Sequence, residues 1–155
     1  MNWSAEQYAE LGRRLVRKGL RVVITGSAAE VPLTAAVATA IGPGAIDLGG
    51  QLKLPQLAAL LRRGLLYVGS ATGPTHLAAA VGAPVLALYS PLHSSAPDRW
   101  RPLGTRVTVL QPAVDLVCPK CLGLRCQYYH CMQRHLSVDV VERAASDILA
   151  AQSLA

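Results

Sequence analysis

Residues 65–85 read Leu65-Leu66-Tyr67-Val68-Gly69-Ser70-Ala71-Thr72-Gly73-Pro74-Thr75-His76-Leu77-Ala78-Ala79-Ala80-Val81-Gly82-Ala83-Pro84-Val85. The short apolar run 65–69 predicts a buried strand, broken by a polar turn. Pro74 has its φ preset for a helix and no N–H to lose, so it suits the first helical position, with Gly73 before it as the N-cap. The helix runs to Val81 and ends at Gly82. A second apolar run, 85–89, follows as the next strand.

The same alternation extends outward in both directions. Upstream, Ser4 with Gln7 reads as a capping box, and Tyr8, Leu11, Leu15 and Val16 repeat at helical spacing until Gly19. Residues 20–25 are a β-branched run, and a helix is predicted over 31–41. A brief strand at 45–48 leads to Gly49-Gly50. Pro55 opens a third helix carrying Leu57, Leu60 and Leu61. Downstream, 106–110 reads as a fifth strand, and Ser137 caps a last helix with Val140, Val141, Ala144, Ile148 and Leu149. Alternating strands and helices predict a Rossmann-like parallel α/β sheet with helices on both faces. Ligands of such sheets lie beyond the C-terminal strand ends.

With 155 residues, 52% hydrophobic and 15% charged, the chain has material for one domain spanning 1–155, and Phe is absent from it. The net charge of +6 suits anionic partners. The basic residues are scattered, as at Arg13, Arg14, Arg17, Lys18, Arg62 and Arg63, and form no tract of the kind that tracks nucleic acid. The first residues lack a basic and an apolar signal region, and no apolar run is long enough to span a bilayer. The expectation is a cytoplasmic chain, at most peripheral to the inner membrane.

The turn between 69 and 76 is the strongest candidate for chemistry. The amides of Gly73, Thr75 and His76 are expected to leave the helix end unpartnered, and with the helix dipole they would suit a phosphate. Gly73 would let a ligand approach the backbone, and Thr72, Thr75 and His76 would add side-chain donors. The bland alternative is an ordinary strand–helix turn in which His76 caps its own helix. Gly26-Ser27-Ala28-Ala29-Glu30 follows the first strand with one glycine, so the dinucleotide fingerprint is missing. Glu30 could accept from ribose hydroxyls or simply stabilise the next helix start. No carboxylate pair is placed for acid–base work, and no GxSxG elbow is present. Cys118, Cys121, Cys126 and Cys131, away from the predicted strand ends, have three readings: a tetrathiolate zinc site, free thiols packed before the last helix, or a disulfide formed on oxidation.

Residues 65–85 resemble the signature of glycosyltransferase family nine, the heptosyltransferases, whose pattern runs close to VGNDSGPMHLAAALGTPVV. Residues 2–8, 47–61, 100–104 and the Cys-rich segment resemble flanking blocks. The resemblance implies the C-terminal, nucleotide-sugar-binding domain of a two-domain GT-B enzyme. It implies metal-free transfer of heptose from ADP-heptose to the lipopolysaccharide inner core, with no cofactor; a structural zinc at the cysteines rests on their spacing alone. By matched position, Thr72, Gly73 and His76 would hold the diphosphate, Glu30 the ribose, and Leu52 would lie against the adenine. The family's Asp before Ser/Thr-Gly-Pro is Ala71 here, a position implied to contact the donor sugar. The acceptor site and catalytic base are expected from an N-terminal half outside this chain. The rival readings are a non-catalytic nucleotide or nucleotide-sugar module and a zinc-bearing interaction domain.

Overall fold

The computed structural model describes residues 2–115 and 117–152. They fall into two compact units, Ser4–Leu57 and Ala58–Ala155 with Met1–Trp3.

In the Ser4–Leu57 unit, helix α1 (Ala5–Arg17) begins at the capping box that its sequence announces. Gln7 N–H donates to Ser4 Oγ at 3.2 Å, and Ser4 N–H donates back to Gln7 Oε1 at 3.2 Å. These two bonds satisfy donors that the helix cannot. Strand β1 (Val22–Ile24) pairs in parallel with β2 (Ala45–Asp47), Val22 opposite Ala45. Helix α2 (Val31–Ile41) connects them, with Pro32 in its first turn. Ala9 of α1 meets Val37 and Ile41 of α2 in the core, and Tyr8, Val16, Val22, Ile24 and Ala45 pack around them. Gly12 allows α1 its close approach, because a Cβ there would run into the Ile41 side chain.

Helix α3 (Leu54–Arg63) contains the sequence boundary between the units. In the second unit, β3 (Tyr67–Ser70), β4 (Val85–Leu88) and β5 (Val107–Leu110) form a parallel sheet in that order. Tyr67 lies opposite Val85, and Val85 opposite Val107. Helix α4 (Gly73–Ala80) crosses from β3 to β4 and is closed by Gly82, whose φ of +79° a side chain would resist. The central strand β4 is buried along its whole length, as an uninterrupted apolar run requires of a strand covered on both faces. Each of its Val and Leu side chains contributes about 1.5–3 kcal/mol by leaving water. After β5 come two single-turn or longer helices, α6 (Cys131–Arg134) and α7 (Val138–Gln152), the latter burying Val141 and Ala145; a short turn, α5 (Pro97–Trp100), precedes β5. Trp3 is 3% exposed, and its indole N–H donates to the Leu136 carbonyl at 2.7 Å.

The α/β class and the parallel pairing are those expected. The hydrogen-bonded strands form two sheets, β1–β2 and β3–β4–β5, where the alternation alone suggested one. No helix among the described residues is long and apolar enough to cross a membrane.

Candidate functional site

The turn from β3 into α4 carries Thr72, Gly73, Thr75 and His76, but not as the spacing predicts. The N-cap is Thr72, with φ −136° and ψ 170°; Gly73 is the first helical residue and Pro74 the second. The expectation of Gly73 as N-cap is thus corrected by one residue. The cause is the Thr72 carbonyl, which accepts from Thr75 N–H at 3.0 Å and His76 N–H at 3.4 Å. Two of the three amides expected to face outward are therefore engaged inside the first turn. Gly73 N–H precedes any helical acceptor and is the donor that remains for an outside anion.

Thr75 is also corrected as a ligand-contacting residue. It is 0% exposed, and its hydroxyl donates to the Ser70 carbonyl. The Tyr67 hydroxyl is its other partner, at 3.4 Å. As the third residue of α4, Thr75 faces inward to the sheet, where it staples the end of β3 to the helix start. Burial pushes the Tyr67 phenol up, against the lowering effect of its bonds to Thr75 and Thr72. Gly69 makes room for this arrangement, since a Cβ there would collide with the Tyr67 ring. Thr75→Val should therefore cost about 1–3 kcal/mol by removing the buried hydroxyl that bonds both Ser70 O and the Tyr67 hydroxyl. Urea unfolding of the variant measures the cost, and a loss below about 0.5 kcal/mol would contradict the staple.

Thr72 and Gly73 are exposed and His76 is half-buried. Gly73 has no positive φ, and a Cβ built on it meets nothing within 4 Å. Neither the backbone nor the packing demands glycine at this position.

Next to this turn is a cleft of about 170 Å³. Ser70 and Ala71 line it from the end of β3, Leu88 and Ser90 from the end of β4, and Leu92, Ser95, Asn2 and Cys121 complete it. Drug-sized ligands occupy about 300–1,000 Å³, so this space suits a fragment such as one phosphate or one sugar ring. Its polar lining is chiefly hydroxyl; Ser90 and Ser95 lie 3.3 Å apart, Oγ to Oγ, and the Ser90 carbonyl accepts from Gln111. The buried Tyr89 donates its hydroxyl to the Trp100 carbonyl and so anchors the loop that carries Ser95. Sequence reading missed Ser90, Ser95, Asn2 and Cys121. Ser90 was findable, because it follows β4 as Ser70 closes β3.

Glu30 ends a 3-10 turn, Ala28–Glu30, after β1. Its Oε2 accepts from Ser27 N–H at 2.8 Å and from Ser27 Oγ at 2.7 Å. The backbone bond first, then the hydroxyl, hold its carboxyl below the usual carboxylate range. The local capping role is therefore present, and one carboxylate oxygen stays available on an exposed side chain. Gly50 N–H donates to Gly26 O at 2.9 Å, tying the loop after β2 to the loop after β1. Leu52 is half-buried two residues beyond this tie.

The cysteines are free thiols, as one of the sequence readings has them. None is in a disulfide; Cys118 and Cys131 are buried, Cys126 is half-buried and Cys121 is exposed. Among the described residues no three His, Cys, Asp or Glu side chains gather to hold a metal. The tetrathiolate of Cys118, Cys121, Cys126 and Cys131 is thus not among the side-chain groups that the described residues bring together for a metal, and all four cysteines are free. Nor is the segment remote from the strand ends. A parallel bridge between Leu92 and Cys118 brings Cys121 to the cleft at β3 and β4. Burial, then the neighbouring Cys126 and Cys121 sulfurs, push the Cys118 thiol up.

The parallel α/β unit places a hydroxyl-lined cleft at the C-terminal ends of β3 and β4, where ligands of such sheets bind. The family model of glycosyltransferase family 9 (heptosyltransferase) matches residues 2–131, and the chain belongs to that family. It is 34% identical over 113 residues to lipopolysaccharide heptosyltransferase 2 of Escherichia coli, covering 70% of this chain and 32% of that protein. Lipooligosaccharide heptosyltransferase 2 of Haemophilus influenzae is 28% identical over the same length. Among solved structures, a family 9 glycosyltransferase from Veillonella parvula superposes with a TM-score of 0.81 at 25% identity, over 96% of this chain and 42% of that one. E. coli ADP-heptose heptosyltransferase II gives 0.80 at 24% identity, over 97% and 43%. The neighbours are GT-B heptosyltransferases, and the chain spans about a third of the length of its curated relatives.

Proposed function

We propose that this chain is the donor-binding portion of a heptosyltransferase, taking the ADP part of ADP-heptose. The diphosphate lies at the start of α4 on Gly73 N–H, Thr72 and His76. Glu30 accepts from the ribose with its unused oxygen, and Leu52 lies against the adenine. The observation that carries the reading is Gly73: the first residue of α4, with its N–H ahead of any helical acceptor, is exposed at a position where the fold does not need glycine. The names of the relatives, heptosyltransferases acting on lipopolysaccharide, support the donor class. Transfer to a lipopolysaccharide-core acceptor requires the parts of those relatives that this chain does not span, and the whole protein would act at the cytoplasmic face of the inner membrane. The chain alone is expected to bind ADP weakly and to transfer no sugar.

A second reading, a nucleotide-sugar module without transfer activity, has one observation in its favour. Ala71 stands where the family signature carries Asp, and no carboxylate lines the adjacent cleft.

Calorimetry with ADP and with inorganic pyrophosphate tests the assignment. Glu30→Gln should weaken ADP several-fold and leave pyrophosphate nearly unchanged, since a charged hydrogen bond to ribose contributes about 1.5–3 kcal/mol. Gln can still accept from Ser27, so the turn survives the change. Equal weakening of both ligands would remove Glu30 from the ribose, and no ADP binding at millimolar concentration would remove the donor site. The capping contribution also has a sign. Because the folded carboxyl has a lowered pKa, its stabilisation is present above the ordinary Glu value and is lost as pH falls through the lowered one.

A further inference from the structure

The segment between β5 and α6 carries a surface that donor binding does not use. Every residue from Pro119 to Arg125 is exposed. Leu122 is 48% and Leu124 78% exposed, and Val117, just before the run, is 65% exposed. The charged residues of the run are Lys120 and Arg125, one on each side of the leucines. No Asp or Glu occurs between Asp115 and Asp139, a stretch that also holds Arg134. Single exposed leucines are ordinary, but large apolar side chains gathered in one exposed loop mark a contact surface. Turns draw chiefly on Gly, Pro, Asn, Asp and Ser. Pro119 and Gly123 meet that need here, and the leucines are not required for it.

The turn is ordered by its own backbone. Arg125 N–H donates to Leu122 O at 3.2 Å, Cys126 N–H donates to Gly123 O at 3.0 Å, and Gly123 lies at φ +54°. The leucines therefore flank a formed turn. The root of the loop is joined to the Leu92 segment: Cys118 N–H donates to Pro91 O at 3.0 Å, and His93 N–H donates to Cys118 O at 2.7 Å. That join, with Cys121 in the cleft lining, puts the loop at the C-terminal ends of β3 and β4.

We propose that the Pro119–Arg125 loop docks on an anionic phospholipid surface. Leu122 and Leu124 enter the boundary between headgroups and acyl chains, while Lys120 and Arg125 keep their charges at the headgroup phosphates. The cations choose this occupant. An apolar groove on a protein would take the leucines but strip two flanking charges of water without giving them partners. A layer of phosphates takes both kinds of side chain at once, and no acidic residue of the segment repels it. The net charge of +6 adds attraction at longer range. Docked in this way, the cleft at β3 and β4 lies beside the lipid. Under the donor reading, that brings the donor cleft and a glycolipid acceptor to one surface; the docking itself does not depend on that reading.

Co-sedimentation of the chain with vesicles tests this, comparing equal parts phosphatidylcholine and phosphatidylglycerol with phosphatidylcholine alone. Binding is expected to the anionic vesicles and should fall as salt rises. Leu122→Ser with Leu124→Ser should weaken it at least about tenfold, through lost burial of apolar surface. Lys120→Ser with Arg125→Ser should also weaken it at least about tenfold, since each cation near such a surface contributes roughly a fivefold gain. Arg62→Ser with Arg63→Ser removes the same charge from α3 and should keep most of the binding. All six positions are exposed, and circular dichroism checks that the variants fold. No binding to the anionic vesicles, equal binding to phosphatidylcholine alone, or equal loss in the Arg62 and Arg63 variant would overturn the proposal. So would a leucine variant that binds vesicles as the parent does while light scattering shows it falling from dimer to monomer, which would make the loop a contact between copies of the chain. No nucleotide enters the assay, so its failure is separate from failure of the donor-site assignment.

Discussion

Replacing Trp3 with alanine is expected to destabilise the Ala58–Ala155 unit by about 3–5 kcal/mol, the range for deleting a buried Trp or Phe. Trp3 is 3% exposed and supplies the hydrogen bond to the Leu136 carbonyl. Alanine leaves a cavity and takes the indole donor away from the Leu136 carbonyl between α6 and α7. Against a typical total of about 5–15 kcal/mol, this is a large share. Thermal unfolding should shift down by about 10 °C or more, at roughly 2–4 °C per kcal/mol for a chain of this size. Trp3→Phe separates the contributions: it restores most of the packing and loses the bond, so it should recover more than half of the deficit. If Trp3→Ala unfolds within about 1 kcal/mol of the parent, the anchor is not what joins the first residues to this unit.

The second large effect is on binding. Gly73→Val should lower ADP affinity at least about tenfold, or about 1.4 kcal/mol. Valine would place a branched side chain where the diphosphate is proposed to meet Gly73 N–H. The added carbons meet no protein atom within 4 Å at Cβ, so stability should stay within about 0.5 kcal/mol of the parent. Gly73→Ala should fall between the two. Calorimetry and urea unfolding on the same preparations check both halves. Undiminished ADP binding by a folded Gly73→Val would move the site away from α4.

Local signals in this chain were legible because their physics is local. Ser4 with Gln7 satisfies two neighbouring donors, and both bonds are formed. The uninterrupted apolar run of β4 can only be a strand covered on both sides, and it is buried throughout. The turn before α4 was legible as a turn but not in its bonding. Pro74 is tolerated at the first or the second helical position alike, so its presence could not decide between Gly73 and Thr72 as N-cap. That decision lies with the Thr72 carbonyl, which takes two amides. Thr75 looked like a donor for a ligand because a hydroxyl near a helix start often is one. Its inward direction depends on where the sheet lies and on the Tyr67 ring beside Gly69, neither of which spacing reveals. Cys121 was placed far from the strand ends for the same reason. The bridge between Leu92 and Cys118 joins residues distant in sequence, and nothing in the Cys spacing announces it.

The bond between Trp3 and Leu136 also bears on the order in which this chain assembles. Its partners are 133 residues apart in sequence. During synthesis Trp3 leaves the ribosome before Leu136 and waits until Leu136 has emerged. The α1–β1–α2–β2 segment meanwhile has its own core cluster around Ala9, Val37 and Ile41 within Ser4–Leu57. It can condense while the rest is still being made, at elongation rates of about 5–20 residues per second. The other unit closes only when its first and late residues meet, a contact whose loop entropy must be overcome in full before it stabilises anything. Until then the Trp3 indole is an exposed aromatic surface on the nascent chain.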